Sequence, residues 1–197
     1  MTPTIQNDKL NELFPTAMTF GKFKVELRNF RRNMGHDDSL PYQATLYING
    51  KKVAEVTNDG WGGMSDIRTL SDAGVKLYNE LYKFIKEHGK EYPAGEPLHG
   101  IQLHYDSIDF ICDTLASNAD IQKDTKRHYK KHMVCYVPEH QSVVTIKFNG
   151  MRGATIPALL EIHPQFQTLW EKTKKKYEDK GYIVLNDYDY PRPAKTA

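Results

Sequence analysis

Four groups of residues have types and spacings that chemistry needs, and the densest is a glycine-studded loop, Asn58-Asp59-Gly60-Trp61-Gly62-Gly63. Successive backbone N–H groups in such a turn can form a concave anion site, and a tryptophan can stack on a base or ring. The spacing matches neither the dinucleotide fingerprint nor the phosphate loop with its Lys-Ser/Thr ending. A nucleotide-like ligand would also need a basic side chain at the loop, Arg68, Arg127 or Arg152, and a His or carboxylate in the same cavity. The plain alternative is a tight connection turning the chain from a strand towards a helix, with Trp61 covering the core edge. The candidate site is therefore Asn58, Asp59, Gly60, Trp61, Gly62, Gly63 and Arg68, for an anionic ligand or a partner.

The other three groups are weaker. His128, His132 and Cys135, with Cys112 upstream, put two imidazoles four apart on one helix face, but the pattern fits no finger spacing. The surrounding lysines and arginine oppose a cation, so no metal or cofactor is expected. Lys123, Lys126, Arg127, Lys130 and Lys131, and again Lys172, Lys174, Lys175, Lys176 and Lys180, form basic runs. Each has acidic neighbours (Asp120, Asp124; Glu171, Glu178, Asp179), which suits solvated helix faces better than a nucleic-acid surface. His36-Asp37-Asp38 and His104-Tyr105-Asp106 bring imidazole near carboxylate, the material of general base catalysis. Neither has a recognised catalytic spacing, and the chain carries no Gly-x-Ser-x-Gly elbow and no His-Glu-x-x-His helix. No catalytic residue is assigned.

Composition bounds the rest. The 197 residues suit one domain with a real core, and 39% hydrophobic with 26% charged content is that of a folded protein. Basic and acidic residues nearly balance, 27 against 25, which favours neither a nucleic-acid coat nor a polybasic membrane binder. The most apolar windows are far shorter than a membrane span. The two cysteines make no disulfide framework, and the start lacks the basic and apolar segments of a signal peptide. These features lead us to expect a cytoplasmic protein with reduced thiols.

The elements that position these groups follow from periodicity. Residues 1–21 read as an arm in which Asn7 caps a helical turn carrying Leu10, Leu13 and Phe14. Residues 22–28 alternate as a half-buried strand. Residues 42–57 form a hairpin around Asn49-Gly50. A two-residue turn would set Leu46 against Val53 and put Ala54 and Val56 on the polar side. Shifting the pairing by one gathers Ala44, Leu46, Ile48, Ala54 and Val56 on one face, leaving Thr45, Tyr47, Val53 and Glu55 on the other. Burial selects the second register, and with it a three-residue loop. Ser71 then caps a helix to about His88, with Val75, Tyr78, Leu81, Tyr82 and Ile85 as its stripe.

Residues 91–100 are the candidate boundary or crossing. A short strand at 101–104 precedes a helix that starts at Asp106 or Ser107, buries Ile108, Ile111, Cys112 and Leu115, and reaches about Lys131. Strands at 133–137 and 143–148 form a second hairpin. A further Asn149-Gly150 turn hints at an internal repeat. Pro164 opens a helix with Phe166, Leu169, Trp170 and Tyr177 on one face, and a strand at 182–185 ends the domain. The expected fold is α+β, an antiparallel meander with about three helices packed on the sheet. The expected division is an arm (1–21), one domain (22–186) and a flexible tail (187–197).

The run Leu46-Tyr47-Ile48-Asn49-Gly50-Lys51-Lys52-Val53, followed by Asn58-Asp59-Gly60-Trp61-Gly62-Gly63, resembles a stretch in short uncharacterised proteins of bacteria and their phages. The resemblance covers about a fifth of the chain and brings no activity with it. What it implies is a small accessory protein of a bacterial or phage genome. With 12 tyrosines in the chain and Trp61 in the loop, the favoured reading is a non-catalytic binding protein for a protein partner or small ligand, and the alternative is an enzyme or sequesterer of a phosphorylated, nucleotide-like small molecule using the Gly60 loop.

Overall fold

The computed structural model describes residues 4–7, 9–33, 40–61, 63–88, 107–151 and 153–190. In chain order the elements are β1 (Thr4–Asn7), α1 (Leu10–Leu13), β2 (Ala17–Phe20), β3 (Phe23–Arg32), β4 (Tyr42–Ile48), β5 (Lys51–Asn58) and β6 (Asp66–Thr69). Then come α2 (Asp72–His88), α3 (Ser107–His128), β7 (His132–Val137), β8 (Ser142–Lys147), α4 (Ile156–Ile162), α5 (Pro164–Glu178), β9 (Ile183–Val184) and β10 (Asp187–Asp189). The fold is α+β, with antiparallel sheets and five helices among the described residues.

Contacts divide the chain into a central unit, residues 14–120, and a terminal unit made of residues 1–13 and 121–197. The change of unit falls within α3, whereas the expected boundary at 91–100 and the short strand at 101–104 lie outside the described residues.

The central unit is a five-stranded antiparallel meander, β2-β3-β4-β5-β6. One face of it shares a single apolar cluster with Leu81 and Ile85 of α2 and with Ile108, Ile111, Cys112, Leu115 and Ala116 of α3. Ser71 caps α2 as its sequence requires, its Oγ accepting the Gly74 N–H at 3.1 Å. Val75, expected in the buried stripe, is 40% exposed. It sits in the first turn of α2, where Gly74 rather than Val75 faces the sheet. The 17–20 stretch, read as part of the arm, is the edge strand β2. Its turn to β3 needs Gly21, whose φ is +54° and where a Cβ would lie 2.4 Å from the Phe84 ring.

The β4–β5 hairpin keeps the register chosen by burial but not the predicted loop. Ala44 faces Val56 and Leu46 faces Ala54, yet Ile48 faces Lys51 across a two-residue Asn49-Gly50 turn with φ of 52° and 76°. The extra residue is taken up as a bulge, two residues of β5 opposing one of β4. Disturbing the ladder costs on the order of 1 kcal/mol. The unbulged register would turn Glu55 and Thr57 inward and expose Val56, costing several kcal/mol. The bulge also corrects one expectation, because Val53 is buried rather than on the polar face.

Val53 gives the central unit a tight contact. Its carbonyl accepts the Leu70 N–H at 3.0 Å, and a Cβ at Gly74 would sit 2.8 Å from the same oxygen. Gly74→Ala should gain about 1 kcal/mol of helix propensity and lose more to this clash, since the carbonyl is held and cannot give way. The expected net result is a loss of about 1–2 kcal/mol, read by thermal denaturation, although the same change raises stability at an open helical site.

The terminal unit holds a three-stranded sheet, β8-β7-β9, and a two-stranded ribbon, β1-β10. Its core gathers Met133, Cys135, Ile156, Leu160, Trp170, Val184, Tyr188 and Tyr190. The Trp170 ring packs against Phe148 and Tyr188 at centroid distances of 5.7 and 5.8 Å. Residues 187–190 are not loose: Tyr188 and Tyr190 are buried, Asp187 pairs with Lys174, and Tyr188 faces Ile5 across the ribbon. Residues 191–197 lie outside the described residues. Leu169, expected on the inner face of α5, is 46% exposed. Gln167 takes the inward position, donating to the Leu160 carbonyl at 2.6 Å. Asn149-Gly150 leads from β8 to α4 rather than into a return strand, so the hinted repeat of the first hairpin is absent there. No helix among the described residues is long and apolar enough to cross a membrane.

Candidate functional site: the 58–65 loop

The loop leaves β5 at Asn58 and enters β6 after Ser65. Its first turns are made by its own side chains. The Gly60 N–H donates to Asn58 Oδ1 at 2.8 Å, and the Trp61 N–H donates to Asp59 Oδ1 at 3.0 Å. These are Asx turns, in which a short polar side chain imitates the backbone acceptor two residues back. Gly60 follows with φ of +82°, the left-handed conformation that glycine adopts without strain.

The far end of the loop is fixed by a carboxylate of α3. Asp113 Oδ1 accepts from the Ser65 hydroxyl at 2.7 Å, the Tyr42 hydroxyl at 2.8 Å and the Asn58 side-chain amide at 3.4 Å. Tyr42 Oη lies 3.0 Å from Ser65 Oγ, and Asn58 Nδ2 donates to the same Oγ at 3.2 Å. With both hydroxyl protons directed at Asp113, Ser65 Oγ is left as an acceptor for Asn58. One turn earlier on α3, Asp109 Oδ1 accepts the Ser65 backbone N–H at 2.5 Å. Burial drives the Tyr42 phenol far above its ordinary range. The negative charge of Asp113 adds to this, and the Ser65 hydrogen bond opposes it. Tyr42 is therefore a permanent donor here and not an acid or base near neutrality.

What this scaffold presents is Trp61, 75% exposed, followed by Met64, 66% exposed. Trp61 does not cover the core edge. Leu70 and Val75, each 40% exposed, follow on the same stretch of chain. Asp59, Asp66 and Asp72 are exposed on this same stretch, as are Arg68 and Lys76.

Of the sequence-predicted residues, Asn58, Asp59, Gly60, Trp61 and Gly63 belong to this loop, and Gly62 lies outside the described residues. Arg68 is not brought to it. It stands on β6 opposite Glu55 in the sheet register. Arg127 contacts Asp124 at 3.7 Å within the terminal unit, and Arg152 lies outside the described residues. The Gly60 and Trp61 N–H groups that an anion would use are engaged by the loop's own acceptors, and Asp109 and Asp113 stand beside it. An anion site finds no support in this arrangement. Tyr42, Ser65, Asp109 and Asp113 were not read from the sequence as parts of a site.

His36-Asp37-Asp38 and His104-Tyr105-Asp106 lie outside the described residues. The His128 and His132 rings approach to 5.5 Å, but no group of three or more His, Cys, Asp or Glu placed to hold a metal occurs among the described residues. Burial, with Glu178 adding, pushes the Cys135 thiol up to about 12, and burial, with Asp113 and Asp109 adding, pushes Cys112 higher still. Both behave as small apolar side chains rather than nucleophiles. In the basic runs, Lys174 pairs with Asp187 and Lys175 reaches Asp179 at 3.4 Å.

His132 gives a pH prediction. Burial lowers its pKa, and the nearby His128, Lys147 and Lys131 lower it further. Between that value and the ordinary one the unfolded chain binds more protons, so stability should fall as pH drops below about 6.5. Thermal midpoints at about pH 7.5 and 5.5 should differ, and His132→Gln should shrink the difference.

Against known proteins, the chain matches no family model, no curated protein and no solved structure.

Proposed function

We propose that this is a non-catalytic binding protein whose 58–65 loop docks a protein partner through Trp61. The observation that supports it is a 75%-exposed tryptophan carried on a loop whose two ends are hydrogen-bonded into place. Large rigid aromatics anchor interfaces because they bury much area at little cost in conformational entropy. A loop already ordered loses less freedom on binding. The exposed apolar side chains Trp61 and Met64 suit a partner that offers an apolar pocket. The resemblance of the hairpin and loop to short bacterial and phage proteins makes an accessory role the accompanying reading.

The test is photo-crosslinking in cells from a benzophenone side chain at Met64. A discrete crosslinked protein should appear and should vanish when Trp61→Ala is added, with the thermal midpoint unchanged. An identical crosslinking pattern with and without Trp61 would contradict the reading.

A further inference from the structure

The central sheet is open along β6. That strand pairs only with β5, and no strand lies beyond it among the described residues. The ladder fixes which of its backbone groups are left over. The Leu70 N–H donates to the Val53 carbonyl at 3.0 Å, and successive residues of a strand alternate in direction. Asp66, Arg68 and Leu70 therefore turn their N–H and C=O groups towards β5. Ile67 and Thr69 turn theirs off the edge, where no backbone partner meets them among the described residues. Such a row of unpaired groups is a template for another strand.

Charge along the edge decides which strand fits. Asp66 and Arg68 are both exposed and, two residues apart, lie on the same face. Glu55, opposite Arg68, has its ion pair with Lys52 at 3.9 Å, and neither Asp66 nor Arg68 forms one among the described residues. Opposite charges at this spacing complement an antiparallel copy of themselves. With Ile67 facing Ile67 of the second copy, these two residues exchange backbone hydrogen bonds across a two-fold axis, and Asp66 faces Arg68 twice. The charged residues then form non-hydrogen-bonded pairs, whose Cα atoms lie about 4.5 Å apart and whose side chains approach most closely. Further out, Met64, 66% exposed, comes opposite Leu70, 40% exposed. The Ser65 N–H stays with Asp109, and its carbonyl accepts the Thr69 N–H of the second copy. Other registers fail on charge. An axis at Asp66 or at Arg68 sets like charges face to face, and one at Thr69 carries Asp66 towards Asp72.

We propose that β6 pairs antiparallel with β6 of a second copy of this chain, about an axis at Ile67, and joins the two meanders into one continuous sheet. The pairing supplies partners for the outward groups of Ile67, two ion pairs, and cover for Met64 and Leu70. Two short strands bury well under about 1,200 Å², so the dimer is weak, with a dissociation constant of about 0.1 mM. The edge lies beside the Trp61 loop in the chain, but the pairing does not rest on Trp61 as an anchor.

The experiment is sedimentation equilibrium of the full chain from about 10 μM to about 1 mM, with amide hydrogen exchange at both limits. The chain should pass from monomer to dimer, and exchange at Ile67 and Thr69 should slow about fourfold between the two concentrations. Arg68→Asp and Asp66→Arg should each weaken the dimer about tenfold, since two attractions become two repulsions. The combined variant, Asp66→Arg with Arg68→Asp, should restore it. Both residues are exposed, and thermal midpoints of the dilute variants show that they fold. A monomer at every concentration would overturn the proposal. So would full protection of Ile67 and Thr69 in the dilute monomer, which would mean that the chain covers its own edge. Protection gained elsewhere instead, or charge reversals that neither weaken the dimer singly nor restore it together, would overturn it too.

Discussion

Asn186→Ala is expected to destabilise the terminal unit by about 3 kcal/mol, which is large for removing three heavy atoms. Asn186 is fully buried. Its Oδ1 accepts the Val134 N–H at 2.8 Å, and its Nδ2 donates to the carbonyls of His132 at 2.8 Å and Tyr129 at 3.1 Å. One side chain thus serves three backbone groups where the chain passes from α3 into β7. The Tyr129 carbonyl keeps a second donor in the Tyr188 hydroxyl, 2.7 Å away, but the other two lose the partner Asn186 provides. A buried backbone group left unpaired costs about 1–3 kcal/mol, and the vacated volume adds to that. Asn186→Asp should be no better, because it keeps the acceptor for Val134 and sets a carboxylate against two carbonyl oxygens. Hydrogen exchange at Val134 and its β7 neighbours is the readout. Loss of protection there, with the central unit unaffected, is the expected result.

Asp113→Ala should cost the central unit about 2–3 kcal/mol and release the 58–65 loop as well. The carboxylate is the common acceptor for Tyr42, Ser65 and Asn58, whereas each donor supplies one of the three hydrogen bonds that it receives. Tyr42→Phe or Ser65→Ala should therefore cost only about 1 kcal/mol. Asp113→Asn should fall between, since a neutral acceptor forms weaker hydrogen bonds than a carboxylate. Urea denaturation gives the energies. The ordering Asp113→Ala, then Asp113→Asn, then Ser65→Ala is more diagnostic than any single value. Equal losses across the three would mean that the carboxylate is not the hub.

Elements with strong periodicity and caps were legible in the sequence. Ser71 and Pro164 begin α2 and α5 as their chemistry requires, and the sheet register near Leu46 follows from burying Ala54 and Val56. The bulge at Val53 was hidden because periodicity specifies which residues share a face, not how the chain gains the extra residue. β6 and α4 escaped notice because four residues show too little alternation and a proline sits in the first turn of a seven-residue helix. Tyr188 and Tyr190 alternate like strand residues, but the polar, proline-containing surroundings read as a tail. The loop's turn chemistry was visible in Asn58, Asp59 and Gly60. Its anchors were not, since Asp109 and Asp113 lie 44 and 48 residues beyond Ser65 and only the packing of α3 on the sheet brings them back.

The claim that most needs testing is that Trp61 stands on a loop already fixed in the free protein. Backbone ¹⁵N relaxation of the full chain measures this directly through the amides of Gly60, Trp61 and Ser65. The hydrogen bonds at both ends of the loop predict order parameters near those of rigid backbone, about 0.85, and a fall in Asp113→Ala. Values below about 0.6 in the unaltered protein would contradict the account, because Trp61 would then be carried by a flexible loop with no prepared geometry to offer a partner.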